Sequence, residues 1–202
     1  MEIRERIQEK ATELFDRYGI RSVTMDDIAG QLGISKKTIY QSFADKDELV
    51  EAVFELHMHE SKDRCISDQQ HAENAVHEIF LAMDMVSELL KCMHQNILFD
   101  LEKYYPKVYK KFLQYKSDFV GNIIARNLDM GIADGLYRPE LNVEIITKLR
   151  LHTMMLSFNT ELYPRSKYNS VEVEHEIIYH FLYGICTAKG IKLITKYKQK
   201  RN

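Results

Sequence analysis

An all-helical fold is what this sequence predicts, and three observations predict it. Glycine (8) and proline (3) are scarce among the 202 residues, which favours long uninterrupted helices over strands and tight turns. Apolar residues recur at steps of three and four, the helical period, and no stretch shows the strict alternation of a half-buried strand. The prolines act as punctuation: Pro106 follows EKYY, Pro139 follows GLYR and Pro164 follows ELY, each at an expected helix end.

The first helix carries Ile3, Ile7, Ala11, Leu14, Phe15 and Tyr18 as one buried stripe and stops at Gly19. Thr24 opens the second, because TMDD sets Asp27 three residues after a hydroxyl, a capping-box spacing. Ile28, Ala29 and Leu32 give it an apolar face, and Gly33 permits a sharp turn. Ser35 caps a third helix, SKKTIYQSF, with Ile39 and Phe43 inward. DKDE at 45–48 repeats the capping signal and starts a fourth helix bearing Leu49, Val53, Phe54 and Leu56. A polar stretch over 60–74 reads as a break, followed by helices over about 73–95, 106–130, 142–161 and 171–188.

Composition narrows the functional classes. Hydrophobic residues make up 45% and charged residues 29%, an ordinary globular balance, and the net charge of −2 requires any nucleic-acid patch to be local. Cys65, Cys92 and Cys186 form no CxxC pair and are odd in number, so neither a zinc ribbon nor a disulfide framework is expected. The charged opening MEIRERIQEK is unlike a signal peptide, and no apolar run nears the ~18 residues of a membrane span. A cytoplasmic protein without membrane contact is the expectation. No GxSxG, GxGxxG, P-loop or HExxH motif is present, and no cofactor or metal is expected. A helical di-iron enzyme would need two Glu-x-x-His motifs, and only EVEH, Glu172 to His175, fits. An architectural DNA-binding protein would need a further catalytic or DNA-binding segment, and none is visible. An enzyme is therefore not expected.

The informative stretch is TMDDIAGQLGISKKTIYQSF, residues 24–43. On the third helix Lys36, Lys37, Tyr40 and Gln41 share one face while Ile39 and Phe43 take the other. Such a helix fits the major groove, where Lys donates to guanine and Gln bonds adenine bidentately. Helix N-termini nearby offer N–H groups to phosphates. A surface helix with ordinary lysines shares part of the pattern; a capped helix, a Gly turn, a second cap and a polar outward face together point to a helix–turn–helix.

From Phe15 to Val50 the chain resembles the N-terminal domain of TetR-type transcriptional repressors: an aromatic-x-x-x-Gly start, the T-x-x-x-I-A helix, L-G-I-S-K-x-T-I-Y, an aromatic and K-x-E-L. The segment GIADGLYRPELNVEI is similar to a helix-ending turn of that family's C-terminal domain. The resemblance implies a homodimeric repressor on a palindromic double-stranded operator. It divides the chain into a helix–turn–helix DNA-binding domain, 1–46, and a helical regulatory and dimerisation domain, 47–202. It implies phosphate contacts from Thr24, Tyr40 and Lys46, and a groove face of Lys36, Lys37, Thr38 and Gln41. Gln41 and Ser42 replace the family's usual aromatic pair after T-I-Y, which leaves the base preference open.

Residues 1–50 hold eight Lys/Arg against ten Asp/Glu, so binding would rest on a narrow positive face. In the larger domain Phe80, Met83, Met93, Phe99, Tyr104 and Phe112 could line a pocket for a small hydrophobic effector, though residues at such spacing also build plain cores. Ile145, Leu149, His152 and Met155, with Ile178, Phe181, Leu182 and Ile185, are the expected dimer face; an internal core is the alternative. The tail KGIKLITKYKQKRN has six basic residues and no acid. It suits a frayed helix C-terminus, or a secondary contact with DNA or anionic lipid.

Overall fold

A computed structural model describes residues 2–201. It is all-helical: α1 (Ile3–Tyr18), α2 (Met25–Leu32), α3 (Lys36–Ser42), α4 (Lys46–His71), α5 (Ala75–Cys92), α6 (Ile97–Tyr104), α7 (Pro106–Tyr115), α8 (Gly121–Ala133), α9 (Val143–Thr153), α10 (Ser170–Ile185) and α11 (Ala188–Gln199). A π-helical turn, Lys116–Val120, joins α7 to α8, and a 3₁₀ turn, Leu156–Phe158, follows α9. Among the described residues the only extended pairing is one isolated bridge, Tyr137 with Cys186. No described helix is long and apolar enough to cross a membrane.

Three expected helix bounds are corrected. The break over 60–74 shrinks to the three residues between His71 and Ala75, because α4 continues through the polar stretch. That stretch holds no Gly or Pro, and the ion pair of Arg64 with Asp68 at 3.2 Å shows how a largely polar helix is supported. The 106–130 helix is interrupted by the π turn. The 142–161 helix ends at Thr153, where the hydroxyl of Thr153 turns back to the Arg150 carbonyl at 3.2 Å, a local competitor of the helical ladder. α6 was not foreseen, and the basic tail is an ordered helix, α11.

The packing divides into two compact units. The first contains residues 1–61 and 92–113 and the second residues 62–91 and 114–202. In the first, Ile7, Ala11, Phe15, Ile20, Ile28, Ile39, Phe43 and Leu49 form a core with almost no solvent exposure. The second is built on Phe80, Met83, Leu128, Tyr137, Ile178, Leu182 and Ile194. Tyr137 lies against Gly131 so closely that a Cβ there would stand 2.1 Å from the ring. Its hydroxyl donates to Asn127 Oδ1 at 3.0 Å, and Asn127 in turn donates to Glu78 and to the Ala75 carbonyl.

α11 docks through Gly190, Ile194 and Tyr197, and much of its charge is spent within the subunit. Lys189 donates to the Asp134 carbonyl, Lys196 pairs with Glu73, and Lys198 stands over the Tyr179 ring. Arg201, just beyond the helix, pairs with Asp84.

Candidate functional site

The first unit presents the candidate interface. Thr24 caps α2 as its spacing requires: Asp27 N donates to Thr24 Oγ1 at 3.1 Å and Thr24 N donates to Asp27 Oδ2 at 2.8 Å. The Thr24 hydroxyl also donates to Asp27 Oδ2 at 2.6 Å, and that bond, with the one from Thr24 N, holds the Asp27 carboxyl below its ordinary pKa. Gly33 takes φ +65, the left-handed conformation that closes the turn after α2. Ser35 Oγ accepts from Thr38 N at 3.1 Å and so starts α3. At α4, Asp45 Oδ1 accepts from Glu48 N at 2.8 Å, while Glu48 reaches back to Ala44 N rather than to the cap residue.

These caps fix which way α3 faces. Ile39 and Phe43 are fully buried, whereas Lys36, Lys37, Tyr40 and Gln41 are all exposed, Tyr40 by 49%. One short helix thus shows solvent two ammoniums, a phenol and an amide on a single side. The members are not equivalent. Lys36 pairs with Asp26 across the turn, which holds its ammonium pKa up, while Lys37 forms no ion pair among the described residues. The hydroxyls of Thr24 and Thr38 are engaged in caps.

Lys46 lies apart from that face. It is half-buried, donates Nζ to the Ile20 carbonyl at 2.6 Å, and stands 6.0 Å from the Phe15 ring centroid. Burial lowers its pKa, against the attraction of Asp100 and Asp47. Around it is a cluster that sequence spacing did not reveal. Asp100, buried on α6, accepts from Arg21 N at 3.2 Å, and Arg21 Nη1 donates to Tyr104 OH at 3.1 Å. The turn 19–23 that leads into α2 is therefore tied to α4 and α6. Its partners lie about 25 to 85 residues away along the chain, so no local pattern carries them.

The acids of this unit also find structural employment. Arg4 pairs with Glu48 at 3.0 Å and lies over Phe43, Asp26 takes Lys36, and Asp27 and Asp45 serve caps. Lys111 binds both Glu51 and Glu55.

The residues expected to line a pocket divide by burial. Phe80 and Met83 are fully buried core of the second unit. In the first unit Met93 is 8% exposed, Phe112 is half-buried, and Phe99 and Tyr104 are exposed by 55% and 37%. These are the burials of core and surface rather than of one apolar wall, and Tyr104 spends its hydroxyl on Arg21. The expected dimer face divides too. Ile178, Leu182 and Ile185 belong to the subunit's own core, because α10 turns that side inward. Ile145 and Leu149 are exposed by 63% and 52%, His152 is exposed, and Met155 and Phe181 are half-buried. Between α9 and α10 runs a cleft of about 470 Å³ lined by Ile146, Leu149, Leu156, Ile177 and Phe181 among others. Among the described residues no group of three or more His, Cys, Asp or Glu is placed to hold a metal ion, and His175 of EVEH lies 3.0 Å from Ser87 Oγ.

Comparison with known proteins bears on this arrangement. Residues 7–53 match the model of the bacterial regulatory proteins of the tetR family. A helix–turn–helix-type transcriptional regulator of Staphylococcus aureus is 35% identical over 83 residues, which is 40% of this chain and 45% of the relative. The chain thus spans about half the length of the curated relatives it matches. Among solved structures, a TetR transcriptional regulator from Chloroflexus aurantiacus superposes with a TM-score of 0.72 at 19% identity, over 92% of this chain and 96% of that one. The transcriptional regulator FadR of Bacillus subtilis, solved with stearoyl-CoA, gives 0.67 at 20% identity, over 90% and 98% of the two chains. A putative regulator from Saccharomonospora viridis, solved with choline, gives 0.71 at 17%, over 91% and 97%. At these identities the likeness establishes the fold.

Proposed function

We propose that this chain, whose N-terminal domain belongs to the tetR family of bacterial regulatory proteins, is a DNA-binding transcriptional repressor released from its operator by a small, largely hydrophobic molecule. The observation that carries the reading is the division of α3: Ile39 and Phe43 fully buried, Lys37, Tyr40 and Gln41 outward with no acid paired to Lys37 among the described residues. Lys37 and Gln41, one turn apart, reach base edges together; Tyr40 and the first turn of α2 meet phosphates. Residues 1–46 act as the DNA-binding domain and residues 47–202 as the regulatory and dimerisation domain.

The dimer forms through the outward side of α9 and α10. Ile145 and Leu149 are large apolar residues left in solvent beside an apolar cleft, and a self-complementary helical face is how a symmetric pair covers such a surface. Two such chains set two α3 helices about one DNA turn apart, which demands a palindromic operator. The ligands carried by two of the similar structures, stearoyl-CoA and choline, support an effector for the second unit here.

Selection of duplexes from a randomised pool by the purified chain tests this reading. The expected outcome is enrichment of an inverted repeat, with affinity falling steeply as salt rises. Retention of all sequences alike would argue against a sequence-specific regulator.

A further inference from the structure

Inside the second unit lies a charged pair that its own chain leaves half satisfied. Arg150 of α9 donates Nη2 to Glu174 Oε1 of α10 at 3.3 Å; Glu174 is wholly buried and Arg150 is 9% exposed. An arginine and a carboxylate free to align form two parallel bonds. Here there is one. Arg150 Nη1, Glu174 Oε2 and the hydroxyl of Thr147, one turn before Arg150, are buried without a hydrogen-bond partner. Nη1 and Oε2 each adjoin a bonded atom in its own planar group, so an orphan donor and an orphan acceptor flank one ion pair. Buried polar atoms are seldom left so, and each such atom calls for an explanation.

The surroundings depart from regular helix in two more ways. α9 ends at Thr153, within a turn of Arg150, and the 3₁₀ turn Leu156–Phe158 packs on α10. The π-helical turn Lys116–Val120 packs against α9. Interruptions of this kind gather where a fold serves a ligand rather than its own regularity. The flank is apolar and adaptable: Met154 and Met155 are half-buried, and the Phe181 ring lies 5.4 Å from the Arg150 guanidinium carbon. Burial raises the Glu174 pKa, opposed by the Arg150 charge and by the Ser157 hydroxyl beside the carboxyl, and burial lowers the Arg150 pKa, opposed by Glu174.

We propose that Arg150, Glu174 and Thr147 are the polar anchor of the effector site, and that they receive an uncharged group which both donates and accepts hydrogen bonds, a hydroxyl or a carboxamide, on an otherwise apolar molecule. This rests on the effector-release reading above. The pair is neutral taken together, so a ligand carboxylate would meet Glu174 and a ligand ammonium would meet Arg150 at close range. A hydroxyl avoids both conflicts: its oxygen accepts from Nη1 and its proton goes to Oε2, with Thr147 as a further partner.

The test compares 1-decanol and decanamide with decanoate and decyltrimethylammonium, by calorimetric titration of the full chain. Arg150→Met combined with Glu174→Leu removes both charges at once and spares the fold the isolated buried charge that either single change would leave. Thr147→Val is the milder second variant. The natural chain should bind a neutral probe about tenfold more tightly than either charged one, and the double variant should lose about that factor for the neutral probes. Thr147→Val should lose less while keeping the preference. The proposal is overturned if no probe binds, which would leave a buried water as the partner of these atoms, if a charged probe is preferred, or if the double variant binds neutral probes undiminished. DNA affinity measured in parallel separates the two readings. Neutral-probe binding that leaves DNA affinity untouched sustains the anchor and overturns effector release; release by molecules indifferent to the double variant sustains release and overturns the anchor.

Discussion

Lys46 holds the carbonyl oxygen of Ile20 with its ammonium at 2.6 Å, and that single bond joins the start of α4 to the turn that delivers α2. Asp100 grips the same turn through Arg21 N at 3.2 Å. A lysine at the start of a helix would ordinarily serve as a loose surface cation. This one is half-buried, and desolvation lowers its pKa.

The consequence is a prediction about stability. Lys46→Ala should cost about 1.5–3 kcal/mol, the range for a hydrogen bond to a charged group, and lower the melting temperature by several degrees. Thermal unfolding checks it. An unchanged melting temperature, with a DNA-binding salt slope reduced by roughly one unit, would instead make Lys46 a phosphate contact.

Gly131 should tolerate no side chain. A Cβ would stand 2.1 Å from the Tyr137 ring, which is fully buried and fixed through its hydroxyl to Asn127. Gly131→Ala is expected to destabilise by about 1–3 kcal/mol or more through overpacking. A chemical-denaturation midpoint equal to that of the natural chain would show that the ring moves aside freely.

Stability should also fall on the acid side for a definable reason. His175 has its pKa lowered below 6.5, by burial first and by the nearby Arg201 charge second. The unfolded chain then takes up a proton at a pH where the folded one still resists it. Stability is therefore lost as pH falls below about 6.5, and above that value the group contributes no pH dependence. His175→Gln should flatten that part of a melting-temperature profile between pH 7 and about 5. Profiles of equal slope would assign the acid sensitivity elsewhere.

Much of the fold was legible because the signals are local. Thr24 with Asp27, Gly19, Gly33 and Ser35 each specify a cap or turn through neighbours within about four residues, and each forms as specified. The outward face of α3 follows from the same periodicity. The rest depends on distant partners. Nothing in 60–74 announces that a largely polar stretch stays helical, nor could spacing reveal that Asp100 meets Arg21 or that Arg150 meets Glu174. Periodicity marked Ile178, Leu182 and Ile185 as apolar without saying whether they face their own core or a second copy.

The exposed partners of that ambiguity give the dimer prediction. Leu149 is 52% exposed beside the α9–α10 cleft, so Leu149→Asp puts a charge into the proposed interface twice per dimer. Dimer association should weaken by about 2 kcal/mol or more, while the subunit's own core is spared. Sedimentation at micromolar concentration reads it. A natural chain that sediments as a monomer, or a variant that associates as well as the natural chain, removes α9 and α10 from the interface.

In the proposed function α3 reads bases through Lys37 and Gln41. Titrating the natural chain and Gln41→Ala against the selected inverted repeat and a scrambled duplex, each at several salt concentrations, tests it most directly. The repeat should lose about 1–3 kcal/mol of affinity in the variant, the range for a bidentate base contact, while scrambled DNA and the salt slope barely change. An unchanged ratio between repeat and scrambled duplex would contradict the claim.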